Sequence, residues 1–541
     1  MNPQATTAAL AAEREATMER LGGEVFDVLV IGGGINGAAC ARDAALRGMH
    51  VAVVERADFA SGTSSRSSKL IHGGVRYLQQ GDIGLVLESC RERDLLRTRI
   101  APHLVRAQPF VFPIYDDDAV PLWQLRIGLT LYDLLAGLRN VSRHRALSRD
   151  EILEVEPALD PSGLLGGALY YDCWTDDARL TIETMMAARD EGAVVLNHAE
   201  VVAFERSADG PLDSARVVDR TTGGEATVRA RAFVNVTGPW LDRVSKLADP
   251  EDAPRLRATK GVHAVFGRDR IGNRNAVVMR GTDDRVMFAI PWQQQTLVGT
   301  TDTYYDGDPG AVRADEDDVA YILAAVDRCF PGAAVGRSDV ISTYAGLRPL
   351  VAPDDARHES DVSRDDRIFE SDSGLISLGG GKLTTHRHVA ERIVDRVVKR
   401  LDRSFGRCRT KDVPLPGGVG VAPSEVDEDF PVGAAEHLTR RYGARAGRVL
   451  SATEADANAR QRLVEDLPDL LGEVRHAVEN EMALTLEDAL VRRVQVALRS
   501  REGAGQVVDV VARLMGEELG WSEERIAEEV ARYRADLANP R

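Results

Sequence analysis

The hydrophobic pattern at the start of the chain predicts a strand, a helix and a second strand. Residues 26–31 are apolar except for Asp27, which is typical of a buried parallel strand. A glycine-rich turn follows, and residues 38–47 have helical composition that ends at Gly48. Residues 50–55 predict the next strand, so the chain opens with a βαβ unit.

Strand patterns recur through the middle of the chain. Buried strands are predicted at residues 193–196, 233–240 and 374–378, and the last is followed by three glycines and a helix from Lys382. Between residues 261 and 302, short runs of alternating polar and apolar residues predict an antiparallel sheet. The pattern therefore mixes parallel α/β segments with antiparallel ones.

The predicted secondary structure changes from mixed α/β to helical at a Pro- and Gly-rich linker, residues 414–418. Beyond it, apolar residues share one helical face over residues 486–498 and again over residues 507–519. We predict a separate helical domain over residues 414–541. Residues 1–24 form an N-terminal extension that lacks the apolar core of a secretory signal.

Charge and cysteine content exclude several classes of protein. The 541 residues include 68 basic and 85 acidic side chains, a net charge of −17, which argues against a nucleic-acid binder. Five scattered cysteines without a C-x-x-C pair argue against a disulfide framework and a zinc ribbon, and we predict no metal site. The longest apolar stretch, residues 127–138, is interrupted by Asp133 and is too short to span a bilayer.

The first candidate for chemistry is the G-x-G-x-x-G turn of Gly32, Gly34 and Gly37. It lies between a strand and a helix, where glycine lets the backbone approach a pyrophosphate and the helix N-terminus supplies free N–H groups. Glu55 ends the next strand, where an acid can bind ribose hydroxyls, and it disfavours NADP. Further strand-and-glycine patterns of a nucleotide-binding fold occur at residues 233–238 and 375–385. A nucleotide-binding fold divided in this way is typical of two-domain flavoproteins, so FAD is favoured over NAD.

The second candidate is the Ser- and Gly-rich segment of residues 61–78. Such a composition is also found in flexible linkers. This segment, however, runs directly into an apolar Leu-Ile pair and then into Arg76 and Tyr77, which a linker does not need. Its hydroxyls and amides are suited to flavin phosphates, and the Arg-Tyr pair is suited to face a substrate.

Several strings in the chain resemble FAD-dependent glycerol-3-phosphate dehydrogenases of the aerobic, membrane-associated type. They occur in family order at residues 32–38, 63–78, 171–180, 237–240, 290–292, 299–302, 344–350 and 379–385. Ser-Ser-Lys-Leu-Ile-His-Gly-Gly and Gly-Gly-Lys-Leu-Thr-Thr are the specific ones, whereas the glycine fingerprint is shared widely. The tail beyond residue 414 resembles the helical cap of that family.

The resemblance implies roles for individual residues. The cofactor-binding positions that it implies are Gly32, Gly34, Gly37, Glu55, Ser64, Ser67, Ser68, Lys69, Gly380, Gly381, Leu383 and Thr384. The implied catalytic residues are His263, Arg348 and Lys382, and the implied further substrate contacts are Arg76, Tyr77 and Arg364.

Elementary chemistry supports these roles. A histidine can accept the C2-hydroxyl proton while hydride leaves to flavin N5, although a satisfied sheet histidine is the alternative for His263. Arginine binds phosphate oxygens in pairs, so Arg348 together with Lys382 is suited to a phosphorylated polyol. The alternative for any single arginine is a surface ion pair of little energetic weight.

We therefore expect an α/β fold, a two-domain flavoprotein with a C-terminal helical domain. A Rossmann-like FAD-binding domain is expected from residues 25–110, 165–260 and 340–408. An antiparallel-sheet substrate domain is expected from residues 111–164 and 261–339.

The implied activity is oxidation of sn-glycerol 3-phosphate to dihydroxyacetone phosphate, with electrons passed through FAD to a membrane quinone. The resemblance implies a peripheral position at the cytoplasmic face of the cell membrane, and a homodimer is compatible with the sequence. Three alternatives remain: an oxidase that uses dioxygen, an amine or amino-acid oxidase on the same scaffold, and a non-catalytic flavin-binding module. The family's oxidases often carry a long insertion between the segments that correspond to Arg348 and Lys382. This chain lacks the insertion, and its absence favours the dehydrogenase.

Overall fold

The computed structural model describes residues 3–75, 78, 82–137, 140–207, 210–352, 366–420, 430–454, 457–500 and 502–538. Its strands are β1 (Val25–Phe26), β2 (Val28–Ile31), β3 (Val51–Val54), β4 (Leu70–Ile71), β5 (Arg106–Tyr115), β6 (Arg145–Ser148), β7 (Leu164–Trp174), β8 (Val194–Leu196), β9 (Ala199–Arg206), β10 (Leu212–Asp219), β11 (Glu225–Ala230), β12 (Phe233–Asn235), β13 (Leu256–Gly267), β14 (Ala276–Arg280), β15 (Val286–Trp292), β16 (Gln295–Gly299), β17 (Thr303–Tyr304), β18 (Val340–Val351), β19 (Arg367–Glu370) and β20 (Leu375–Gly379).

The α-helices complete the described secondary structure. They are α1 (Pro3–Gly23), α2 (Ile35–Leu46), α3 (Ile83–Leu95), α4 (Leu122–Ala136), α5 (Arg149–Val155), α6 (Asp177–Asp190), α7 (Leu241–Ala248), α8 (Arg268–Ile271), α9 (Glu316–Cys329), α10 (His386–Leu401), α11 (Ala434–Tyr442), α12 (Ala446–Glu454), α13 (Leu471–Glu481), α14 (Val496–Arg499), α15 (Gly503–Gln506), α16 (Val508–Leu519) and α17 (Glu523–Ala538). The α/β class and the helical C-terminal region that we predicted are confirmed.

A six-stranded sheet in the order β19–β20–β12–β2–β3–β8 carries the cofactor turn. Its neighbouring strands are parallel except for the edge pair β19 and β20. Strands β2, β3, β12 and β20 are buried on both faces, as their continuous apolar runs predict. Helices α2, α6 and α10 cover one face, and a four-stranded sheet of β1, β11, β10 and β9 packs near the other.

A larger, mostly antiparallel sheet forms the second layer system. Its order is β17–β13–β16–β15–β14–β5–β7–β4, with β18 paired to β13 and β6 paired to β7. The antiparallel pairs β13–β16, β15–β16 and β14–β15 confirm the sheet predicted between residues 261 and 302. Strands β5, β7 and β18 bring segments that the sequence assigned to the FAD domain into this sheet, and the domain boundaries themselves stay predictions.

The predicted helix from Lys382 begins four residues later, at His386. Gly380 and Gly381 have φ angles of +76° and +100°, which no helix accommodates. The N–H of Gly380 donates to the carbonyl of Pro349 at 2.9 Å. The segment is therefore a loop fastened to β18.

The amphipathic helix predicted over residues 486–498 is divided in the structure. A π-helical segment, Asp488–Arg493, is followed by a break at Gln495, which has a φ of +55°, and then by α14. Gln495 donates to the Asp176 carboxylate at 3.0 Å in the interior, because this side of the segment faces the rest of the protein and not solvent. The helix predicted over residues 507–519 is confirmed as α16.

The N-terminal residues form a helix that packs on the protein. Leu21 of α1 is completely buried, and Arg14 pairs with Asp219 at 2.8 Å. Among the described residues, no helix combines the length and the apolar character that a bilayer crossing requires.

Candidate cofactor and substrate site

The turn of residues 32–37 joins β2 to α2 and is built for close backbone contact. A Cβ atom on Gly32, whose φ is +113°, would lie 2.8 Å from the carbonyl oxygen of Val236. A Cβ atom on Gly37 would lie 1.9 Å from the carbonyl oxygen of Gly32, so this position requires glycine. Gly34 caps the start of α2, where free N–H groups favour an anion such as a pyrophosphate.

Glu55 follows β3 and holds the glycine turn in place. Its carboxylate accepts the N–H of Gly33 at 2.7 Å and the N–H of Ala57 at 2.8 Å. Burial raises the pKa of the Glu55 carboxyl, and the two backbone hydrogen bonds oppose that rise. The position suits an acid that binds ribose hydroxyls.

A cavity of about 430 Å³ extends from this turn to the loop after β20. The residues predicted to bind the cofactor that line it are Gly32, Gly34, Glu55, Ser64, Ser67, Gly380, Gly381 and Leu383. The predicted residues placed beside the cavity and not on its wall are Gly37, Ser68, Lys69 and Thr384. Thr384 exchanges hydrogen bonds with the backbone of His72, at 3.1 Å and 3.3 Å, and so joins the two loops.

The cavity wall also contains residues that sequence reasoning did not assign. Trp240, Arg56 and Asn36 line it, with the Arg56 guanidinium 5.2 Å from the centre of a Trp240 ring. The Thr-Gly-Pro-Trp string at residues 237–240 was one signal for this wall, because it follows strand β12 as the glycine turn follows β2.

The residues present fit a dinucleotide. Within the described part of the chain, Asn36 Oδ1 and Trp240 Nε1 are buried without a hydrogen-bond partner, and both belong to residues of the cavity wall. Buried polar atoms normally have partners, so these two atoms point to a ligand that supplies them. The glycine turn and Glu55 would hold its ADP half, and residues 380–384 would lie along the other half.

The loop of residues 61–69 is fastened to β18 and α6. Thr63 donates to the Leu347 carbonyl at 2.7 Å, and the Tyr344 hydroxyl donates to the Ser67 carbonyl at 2.8 Å. The Lys69 ammonium is buried and pairs with Asp177 at 2.6 Å. Lys69 therefore stabilises the loop through this ion pair. Ser64 accepts the N–H of Ile35 at 2.9 Å at the start of α2.

His263 lies on β13 behind this loop. Its Nε2 shares a hydrogen bond of 2.8 Å with Ser68 Oγ, and its ring stacks on Tyr344 with 4.9 Å between centroids. Gly299 leaves room for the ring, because a Cβ atom there would lie 2.4 Å from His263 Cδ2. Burial lowers the pKa of His263 to about 3, with a further lowering from the positive charges of Arg348 and Lys69.

Arg348 lies on β18, where Arg348 pairs in register with Thr259 of β13. Its side chain is 28% exposed, and its guanidinium bonds Asp302 at 2.7 Å and donates to Thr300 Oγ1 at 3.3 Å. The hydrogen bond from Gly380 to Pro349 joins the segment of Arg348 to the segment of Lys382. Arg76, Tyr77 and Arg364, the further predicted substrate contacts, lie outside the described residues.

Two family models match the chain. The model for FAD dependent oxidoreductases matches residues 27–396, and the model for the C-terminal domain of alpha-glycerophosphate oxidase matches residues 408–526. The first match covers more than half of the chain and confirms FAD as the cofactor. The second match lies on the helical region.

Relatives of known name cover most of the chain. The aerobic glycerol-3-phosphate dehydrogenase of Staphylococcus haemolyticus is 38% identical over 494 residues, which cover 89% of this chain and 88% of the relative. The glycerol-3-phosphate dehydrogenase of Mycobacterium leprae is 40% identical over 539 residues, with 97% and 90% covered.

Solved structures agree with these relatives. The glycerol-3-phosphate dehydrogenase of Bacillus halodurans, complexed with FAD, superposes with a TM-score of 0.81 at 34% identity and 97% coverage of both chains. The L-α-glycerophosphate oxidase of Mycoplasma pneumoniae shares the fold, with a TM-score of 0.56 at 19% identity and coverage of 73% of this chain and 99% of that chain. The chain therefore belongs to the FAD-dependent oxidoreductases and, within them, to the glycerol-3-phosphate dehydrogenase family.

Proposed function

We propose that this protein oxidises sn-glycerol 3-phosphate to dihydroxyacetone phosphate and passes the electrons to a membrane quinone. The names of the relatives supply the substrate. The observation that carries the proposal is the Arg348 side chain, which is partly exposed on the strand whose next residue, Pro349, is hydrogen-bonded to Gly380 of the loop of residues 380–384. A phosphate dianion needs such a cation, and arginine can bind two of its oxygens at once.

Each proposed catalytic residue has one task. Arg348 and Lys382 bind the phosphate or the developing alkoxide of the substrate. His263 accepts the hydroxyl proton, and burial keeps its ring neutral at pH 7, so that a ring nitrogen has a lone pair for that proton. Ser68 fixes the orientation of the His263 ring through the 2.8 Å hydrogen bond. Bound FAD supplies the hydride acceptor.

A surface of exposed apolar side chains supports the membrane part of the proposal. Trp123, Ile127 and Leu134 of α4 are 64%, 61% and 72% exposed and follow each other along one side of the helix. Ile83 and Leu87 of the neighbouring α3 are also exposed. We call these five residues the apolar face. A helix with one side exposed and apolar is suited to lie in the surface of a bilayer, where quinones dissolve.

The opposite side of α4 contacts the cofactor region. The Tyr132 hydroxyl donates to Asp172 at 2.8 Å, and the same carboxylate oxygen accepts the N–H of Gly73 at 3.0 Å. Gly73 adjoins His72, which is hydrogen-bonded to Thr384. A chain of contacts through Asp172, Gly73 and His72 thus connects α4 to the loop of residues 380–384, and this connection supports a quinone in the membrane as the electron acceptor.

An anaerobic titration of the purified, FAD-loaded protein tests the proposal. We expect glycerol 3-phosphate to bleach the flavin absorption band, and glycine or sarcosine to leave it unchanged. A soluble quinone analogue should then restore the band faster than dioxygen and without hydrogen peroxide. Bleaching by an amine alone would overturn the substrate assignment, and rapid reoxidation by dioxygen with stoichiometric peroxide would overturn the quinone assignment.

A further inference from the structure

A buried carboxylate, Asp58, lies three residues after Glu55 and is held by the helical C-terminal region. Arg492 Nε donates to it at 2.6 Å, and Arg493 donates to both of its oxygens, with Nη2 at 2.9 Å from Oδ1. Asn197 adds a hydrogen bond at 3.1 Å. Asp58 and Arg493 are both fully buried, so water cannot replace either partner.

The loop that contains Asp58 forms part of the cofactor cavity. Glu55 and Ser61, at the two ends of this loop, line the wall. Between them, the N–H of Ala60 donates to the carbonyl of Gly33 at 3.1 Å. A Cβ atom on Gly33 would lie 2.7 Å from Phe59, so loop and glycine turn are in direct contact. A displacement of residues 55–61 would therefore also displace the glycine turn, and both segments are expected to bind the ADP portion of the cofactor.

Two consecutive arginines reach one carboxylate because of the local helix geometry. Arg492 and Arg493 end the π-helical segment Asp488–Arg493, and such wide turns recur at functional sites. Arg493 Nη2 also donates to the carbonyl of Glu481 at 2.7 Å, and Arg492 bonds Asp488 at 2.5 Å. Both guanidinium groups are thus held by further partners in addition to Asp58.

A metal ion is a poor alternative at this cluster. Asp58, His198 and Asp488 each place one ligand atom within 4.8 Å of the others. Both carboxylates, however, already accept hydrogen bonds from guanidinium groups. A divalent cation would have to displace two buried positive charges, so the cluster is an ion-pair network.

We propose that Arg492 and Arg493 are positioning residues for FAD: they hold residues 55–61, and thereby set the affinity for the ADP half of the cofactor. The helical C-terminal region is then part of the cofactor site although it contributes no residue to the cavity wall among those described. The proposal depends on FAD as the cofactor and not on the identity of the substrate, so the two can fail separately.

The test measures cofactor affinity in full-length protein from which FAD has been removed. We expect Arg493→Met to weaken FAD binding, followed by flavin fluorescence, by roughly tenfold or more, because a buried carboxylate loses its bidentate partner. ADP, which competes for the same half of the site, should be weakened by the same factor. Asp58→Asn should reproduce the effect, and Arg493→Lys should restore part of the affinity because it returns the charge without the fork.

Arg499→Met is the matched control. Arg499 is an equally buried arginine of the same region, and it pairs with Asp469 and donates to Gln293 at 2.6 Å, away from residues 55–61. The affinities of the Arg499→Met variant for FAD and ADP should stay close to those of the wild type, even if the melting temperature of the variant falls. Equal losses for Arg493→Met and Arg499→Met would overturn the proposal, as would wild-type affinity in Asp58→Asn. Asp58→Asn decides the matter if Arg493→Met does not fold.

Discussion

At the scale of single residues, the site is made of charged and polar groups whose neighbours come from distant parts of the chain. His263 meets Ser68 across 195 positions, and Arg348 meets Asp302 across 46. Residue types and motifs predicted that these positions carry chemistry. They did not predict the partners, because a partner's identity depends on tertiary contacts that no local pattern encodes.

Arg348→Ala should lower kcat/KM for glycerol 3-phosphate by about 2–5 kcal/mol, or roughly 30- to 5,000-fold, because the phosphate loses its arginine in a partly desolvated site. Steady-state kinetics on FAD-loaded protein measure this change. Arg280→Ala is the control, since Arg280 lies in the same sheet, is 21% exposed and is paired with Asp117, Asp118 and Asp284. Wild-type kinetics for Arg348→Ala, or equal losses in both variants, would contradict the assignment.

The lowered pKa of His263 predicts a pH dependence of stability. The pKa is about 3 in the folded protein, against the ordinary value of 6.5, so between these values the unfolded chain binds one more proton. The free energy of unfolding should therefore rise with pH across that window, and His263 should contribute a slope of up to about 1.4 kcal/mol per pH unit.

Urea unfolding at several pH values between about 4.5 and 6.5, inside the window between the two pKa values, measures this contribution. His263→Asn should show a smaller slope than the wild type. His386→Asn is a positive control, because burial also lowers the pKa of His386, to about 4, and its removal should reduce the slope in the same direction. An unchanged slope in His263→Asn would show that its proton balance on unfolding is not the one we derive.

At the scale of elements, the sequence predicted those whose partners are close along the chain. The βαβ unit of β2, α2 and β3 and the antiparallel run of β13 to β16 follow from hydrophobic period and turn residues alone. The break at Gln495 could not be predicted, because the amphipathic period continues through it. Packing against Asp176 decides the backbone there, which is a tertiary effect.

The apolar face predicts binding to vesicles. Ile127→Glu and Leu134→Glu each place a charge where an apolar side chain would enter the bilayer surface, and we expect binding to fall strongly. Flotation with vesicles of phosphatidylglycerol and phosphatidylcholine measures the bound fraction. Val510→Glu, at a residue of α16 that is 54% exposed, removes an apolar surface residue elsewhere and should leave binding unchanged. Binding of all three variants at the wild-type level would exclude this face.

At the scale of the whole molecule, the parallel sheet, the large antiparallel sheet and the helical C-terminal region are joined by segments that contact more than one of them. β18 carries Arg348, pairs with β13 in the large sheet and is hydrogen-bonded to the loop after β20 of the cofactor sheet. The helical region reaches Asp58 beside the glycine turn. Composition and periodicity show where the type of secondary structure changes along a chain, but they cannot show which segments contact each other in the fold.

The contact between Asp58 and Arg493 has a consequence for how the protein is made. The two residues are 435 positions apart, so at roughly 5–20 residues per second the arginine leaves the ribosome on the order of 20–90 s after the aspartate. Until then the nascent chain has an uncompensated negative charge within the loop of residues 55–61, whose two ends line the cofactor cavity. We therefore expect flavin insertion to wait until Arg493 has left the ribosome and has paired with Asp58.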